Sequence, residues 1–172
     1  MNVNTNVVAH VNPSAYKDLL LEVFVKSKGI VSAIDSQQLA GASYDGDDLI
    51  YVNIFPYHHI PDTQTKADAY LMFSLDCANI NRSNATFADM KLTVWTMSHQ
   101  TRMKLEGIHA TRTDFLAQEV IKLLDGSKDY GFGMLELQRS SEIVLSPTYQ
   151  YRELIFLVHD FRPHSYNKVG RI

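Results

Sequence analysis

The sequence predicts an α+β fold: an antiparallel-dominated mixed sheet with two main helices packed on it, in the order α-β-β-β-α-β-β. Three observations carry this. Apolar residues repeat at helical spacing in two segments, from Tyr16 to Phe24 and from Leu116 to Leu124. Other segments alternate or run apolar over strand lengths, with turn formers between them. Helical and strand-like segments also lack the βαβα rhythm of a doubly wound parallel sheet.

A chain of 172 residues is most simply one domain, here an arm at 1–11, a core at 12–161 and a tail at 162–172. With 45% hydrophobic and 20% charged residues, the composition is that of a globular protein. The formal net charge of −3 argues against a dedicated nucleic-acid binder, which needs basic residues to neutralise phosphates. The single cysteine, Cys77, cannot close an internal disulfide and sits in an apolar run, where a thiol behaves as a small hydrophobe. A reducing compartment is expected. No stretch reaches the ~20 apolar residues that span a bilayer. Residues 1–10 lack a basic-then-apolar pattern, so synthesis in the cytosol without an export signal is expected.

Each element has its own signal. Residues 1–11 are rich in Asn and Val, without periodicity, and read as an arm that a partner could order. Asn12 is placed to cap a helix, with Pro13 at its first position. Tyr16, Leu19, Leu20, Val23 and Phe24 form one face, and Gly29 is the expected stop. Residues 32–48 are small and polar, with the loop signal Asp45-Gly46-Asp47-Asp48. Residues 49–55 read as a strand. Pro56 and Pro61 bracket Tyr57-His58-His59-Ile60 as a loop or edge.

Residues 70–77 and 89–98 are the next strands, expected as a hairpin across the turn-rich 79–84. An irregular connection over 99–110 leads to a helix over 113–124. Thr111 and Asp114 make its capping-box-like start, and Gly126 ends it. Gly131-Phe132-Gly133 reads as a tight turn or bulge into a strand at 134–138. A short strand at 142–145 and a long one at 151–161 close the core.

No motif signals catalysis. Adjacent His58 and His59 would point to opposite faces of a strand, and the chain has no HExxH, CxxC or Gly-x-Ser-x-Gly. The best metal-ligand set that folding could gather is His99, His109 and Asp160, the basis of a metal-dependent hydrolase alternative. Asp47 and Asp48 sit in a solvated loop that would not separate their pKa values. No cofactor, no resident metal and no catalytic residue is expected. Asp114 suits the positive end of a helix dipole, and Arg112 reads as a surface charge or local ion pair.

The last third nevertheless has a recognisable order. Arg112-Thr113-Asp114 opens a helix that closes at Leu123-Leu124-Asp125-Gly126. Gly131-Phe132-Gly133 leads into Leu135-Glu136-Leu137. Tyr151-Arg152-Glu153-Leu154-Ile155-Phe156 runs to Asp160-Phe161, and His99 follows the third strand. This order resembles the tail-terminator and related neck proteins of tailed bacteriophages, over roughly 89–161. The long 32–48 loop and the Pro56 to Pro61 segment depart from that pattern.

The resemblance implies a structural virion protein rather than an enzyme. It implies a homo-oligomeric ring, commonly a hexamer, between the tail tube protein and the head connector, with DNA passing through the bore unbound. It places the protein in the virion neck, after assembly in the host cytoplasm, with no membrane partner. A head-completion adaptor is the alternative role. Subunit-interface candidates are Arg112, Asp114, His99, Tyr57, His58 and Arg152. The segments 1–11, 57–60, 99–110 and 162–172 are the candidate patches.

Overall fold

Helix α1 (Pro13–Lys26) opens at the predicted proline and buries the predicted face, with Leu20 and Phe24 wholly inaccessible. The structure, a computed structural model, describes residues 13–60, 67–78, 88–128, 133–144 and 146–161. The arm at 1–11, Asn12, Pro61, the turn at 79–84, Gly131, Phe132, Leu145 and the 162–172 tail lie outside the described residues, as do the side chains of Cys77 and Asp160.

Gly29 is not the stop. The helix breaks at Ser27, whose Oγ accepts the Ile30 N–H at 3.4 Å and caps a second helix, α2 (Lys28–Ile34). A serine at that position offers the next turn a new acceptor, so the chain restarts instead of ending. Gly29 falls inside α2, where a Cβ would run into the Glu119 carboxylate of the neighbouring helix. Asp35 closes α2 in the left-handed region, at φ 43°.

The predicted strand over 49–55 is mostly a turn. A 3-10 turn spans Asp47–Leu49, and Tyr51 takes φ 58°. The backbone N–H groups of Tyr51, Val52 and Asn53 bond to Ile54 or Leu49 carbonyls, so they cannot join a ladder. Only β1 (Ile54–Phe55) remains extended.

The other strands are β2 (Ala69–Ala78), β3 (Ala88–His99), β4 (Glu136–Val144) and β5 (Tyr149–Phe161). They form one mixed five-stranded sheet in the order β1-β2-β3-β5-β4. β1 runs parallel to β2, and every other neighbour is antiparallel. The expected β2–β3 pairing is present, with Phe73 opposite Val94. The two pieces expected at 134–138 and 142–145 are one strand with a bulge between Leu137 and Arg139. Its polar middle has no strand signal, but the ladder to β5 carries it through.

Helix α3 (Arg112–Leu124) is capped as predicted, with the Asp114 N–H donating to Thr111 Oγ1 at 3.2 Å. It ends at Gly126, whose φ of 74° suits glycine. Three helices, rather than two, pack on the sheet. The core joins Leu20, Phe24, Ile30, Ile34, Leu116 and Val120 to Leu71, Phe73, Leu92, Val94, Leu154 and Phe156. Those strand residues share one parity, so the helices cover a single face. Among the described residues no helix is long and apolar enough to cross a membrane.

Candidate functional site

The opposite parity of the same strands builds a second surface. Phe55, Tyr70, Met72, Met97 and Tyr149 cluster there, with Trp95 and Tyr151 half-buried at the rim. No helix residue belongs to this cluster. Its cover is the turn after β1. Pro56 cannot extend a ladder, so the chain leaves the edge and folds back over the face. The His59 ring stacks on Phe55 at 4.1 Å, and the His59 N–H points at Met72 Sδ at 3.3 Å. The His58 ring meets Trp95 edge-on at 4.9 Å, while Tyr57 meets Phe55 edge-on at 5.6 Å. Trp95 Nε1 donates to Glu153 Oε2 at 3.0 Å.

That cover is itself apolar and open to solvent. Tyr51, Tyr57 and Ile60 are 61%, 45% and 60% exposed, and Tyr51 and Tyr57 lie 6.4 Å apart. Scattered exposed apolar residues are ordinary, but a grouping around one sheet edge is the pattern of a contact surface. Further along the face, Ile155 and Leu157 of β5 are half-buried.

A buried polar latch holds this end of the sheet. Asp68, just before β2, is 1% exposed at its side chain and takes Arg102 Nη1 at 2.7 Å. Arg102 Nη2 reaches Asp35 Oδ2 at 2.7 Å and the Asp35 carbonyl at 2.8 Å. Asp68 also accepts from Ser36 Oγ and the Gln38 N–H, both at 3.3 Å. Gln38 Nε2 donates to Tyr70 Oη at 3.2 Å, which links the latch to the aromatic cluster. Burial raises the Tyr70 hydroxyl pKa above the ordinary tyrosine value, and the charges at Tyr149 and Asp68 add to this. Tyr149 is raised mainly by burial as well. These hydroxyls are hydrogen-bonding groups held in their neutral form.

The expected interface residues separate into two groups. Arg112 is buried, not a surface charge: Nε donates to the Arg102 carbonyl at 2.7 Å and Nη1 to the Ala33 carbonyl. Burial, then the Arg102 charge, lowers its pKa from the usual arginine value. A guanidinium spent on internal carbonyls cannot reach a neighbouring subunit, so Arg112 is an internal tie. Asp114 and Arg152 find each other, with Arg152 Nη2 2.6 Å from Asp114 Oδ1, on the helix side of β5. Arg152 Nη1 also donates to Ser140 Oγ at 3.2 Å.

Tyr57 and His58 lie on the open face, as described. His99 marks the end of β3. Its Nδ1 caps the 3-10 turn Gln100–Arg102, 2.7 Å from Thr101 Oγ1, and its ring meets Tyr149 edge-on at 5.1 Å. His109 is exposed, and the Asp160 side chain lies outside the described residues. Among the described residues no three His, Cys, Asp or Glu side chains gather as a metal site. Sequence reading missed Asp68 and Arg102, because an aspartate and an arginine 34 positions apart leave no local signal.

A family model named YomW matches residues 27–158, from the Ser27 cap through almost all of β5. The chain belongs to the YomW family. It is a phage-derived family of the SPbeta type, so the protein is phage-associated. The YomW match takes in α2, the latch, the open face and the whole Arg112 to Phe156 order, and leaves α1 outside. No curated protein and no solved structure matches the chain.

Proposed function

We propose that this YomW-family chain is a structural subunit of a tailed-phage particle. It forms a ring at the head-tail junction, ends the tail tube and joins it to the head. The observation that carries this reading is the one-sided sheet. Helices cover one face; on the other, among the described residues, a short turn bearing exposed Tyr57 and Ile60 lies by half-buried Trp95, with exposed Tyr51 beside it. The aromatic end of this face suits a partner better than a substrate, while further along it the Asp76–Lys91 ion pair makes it polar. The order of motifs from Arg112 to Phe161, together with a phage-derived family, supports the neck as the place.

The role is assembly rather than catalysis, and needs no metal or cofactor. One ring face blocks further tube growth, and the other receives the filled head. DNA passes through the bore, and the net charge of −3 suits a lining that does not grip phosphates. A closed head-to-tail ring needs two different, complementary patches per subunit. The Tyr51, Tyr57 and Ile60 outcrop at the β1 edge is one.

The test is native mass with negative-stain imaging over a range of concentrations, followed by addition to purified tail tubes. A ring with a central hole that seats on tube ends is expected. A strict monomer that also fails to add to tube ends would overturn the reading.

A further inference from the structure

β2 is ten residues long, and β1 covers almost none of it. Pairing is limited to Ile54 with Leu71 and Phe55 with Met72. Among the described residues no strand lies along the outer edge of residues 74–78. The Leu71 N–H donates outward to the Asn53 carbonyl at 2.9 Å. Backbone direction alternates along a strand, so Leu75 and Cys77 aim their N–H and C=O groups to that same side. Bare edges invite pairing with another chain, and proteins blunt them with charge, proline or a cover. Here Asp76, paired with Lys91, is the charge within the edge, and the exposed apolar Tyr51 and Tyr57 lie towards its β1 end.

We propose that this edge is a strand-addition site, filled by residues 2–11 of a second copy of the chain. Asn2, Asn4 and Asn6 alternate with Val3, Thr5 and Val7, the two-residue period of a strand, and half of these residues are β-branched. Residues 2–11 hold no Asp, Glu, Lys or Arg, unlike a tail kept in water by its charge. One residue, Asn12, separates the segment from Pro13, where α1 opens. Main-chain hydrogen bonds to Leu75 and Cys77 give affinity, and alternate valines reach apolar surface. Donor and acceptor are different parts of one subunit, which a closed head-to-tail ring requires, so the inference rests on the ring reading.

The experiment compares the full chain with one lacking residues 1–11 and with a Thr5→Pro, Val7→Pro double variant. Native mass and amide exchange at Leu75 and Cys77 are followed over concentration. Exchange at both amides is expected to slow as the full chain associates, and to stay fast in both variants. A synthetic peptide of residues 1–12 should restore slow exchange in the shortened chain. The double variant keeps the whole core, so its matching loss would separate a pairing defect from a folding defect. Slow exchange in a dilute monomer would overturn exchange between copies, because the arm would then pair with its own chain. A shortened chain that forms the same ring would overturn the inference and leave the ring reading standing. A full chain that neither associates nor seats on tail tubes would overturn both.

Discussion

Leu92, Val94, Leu154 and Phe156 are wholly buried on the helix side of the sheet, whereas Trp95, Tyr151, Ile155 and Leu157 of the same strands are only partly covered on the other. The two sets come from alternate residues of the same strands, and both are apolar. Apolarity therefore does not separate them. The helix side is finished by the chain itself, since α1, α2 and α3 supply matching stripes. Among the described residues, the turn after β1 covers part of the other side, and its outer surface is again apolar at Tyr57 and Ile60. Exposed apolar groups beside a partly covered sheet face are the usual mark of a contact surface, and the proposed assembly role rests on them.

Substitutions on the two faces should therefore separate stability from assembly. The largest loss is expected on the sealed face: Phe156→Ala should cost about 3–5 kcal/mol by opening a cavity. Urea unfolding measures it, and a loss below about 1 kcal/mol would mean the two faces are equally loose. Arg102→Ala should cost a comparable amount, about 3–5 kcal/mol, by leaving the Asp68 carboxylate buried without its cation. If Arg102→Ala melts like the parent protein, the latch does not hold the end of the sheet.

A pH series sharpens the comparison on the open face. Tyr70 and Tyr149 have raised pKa values, so the folded chain keeps protons that the unfolded chain releases near the ordinary tyrosine value of about 10. Stability should be full below about pH 10 and fall as pH rises above it. Tyr70→Phe should flatten that fall, and an unchanged slope would remove Tyr70 as its source. Asp114→Ala breaks a partly exposed ion pair with Arg152 and should cost only about 0.5–1 kcal/mol in thermal unfolding. The smallest change in stability, within about 0.5 kcal/mol, is expected for Tyr57→Ser with Ile60→Ser. The same pair should weaken ring formation in native mass measurements. A ring unaffected by both substitutions would place the subunit contact elsewhere.

Local patterns were legible in this sequence. The stripes of α1 and α3, the Thr111 cap, the Gly126 stop and the long strands all follow from periodicity and capping within one element. Errors arose where a hydrogen bond outside the periodic pattern decides, whether local or distant. Ser27 restarts the helix that Gly29 was expected to end, and β5 carries the polar middle of β4. The 49–55 segment has strand composition, yet its backbone bonds close locally, and Tyr51 sits at a positive φ. Of the site, Tyr57 and His58 could be suspected from their place between prolines, and the structure sets them on the open face. Arg112 was singled out, but its burial against the Ala33 and Arg102 carbonyls depends on a helix 79 positions away in sequence.

The sequence by itself determined helices α1 and α3, the long strands β2, β3 and β5, and which of their residues are apolar. Hydrophobic periodicity and capping act over a few residues and need no partner. Tertiary structure alone decided which of two apolar sheet faces would be sealed. It also decided that buried Asp68, Arg102 and Arg112 would meet, with exposed Asp35 closing one side of Arg102. Both are contacts between residues far apart in the chain, and their energies exist only once the folded geometry brings the groups within reach of each other.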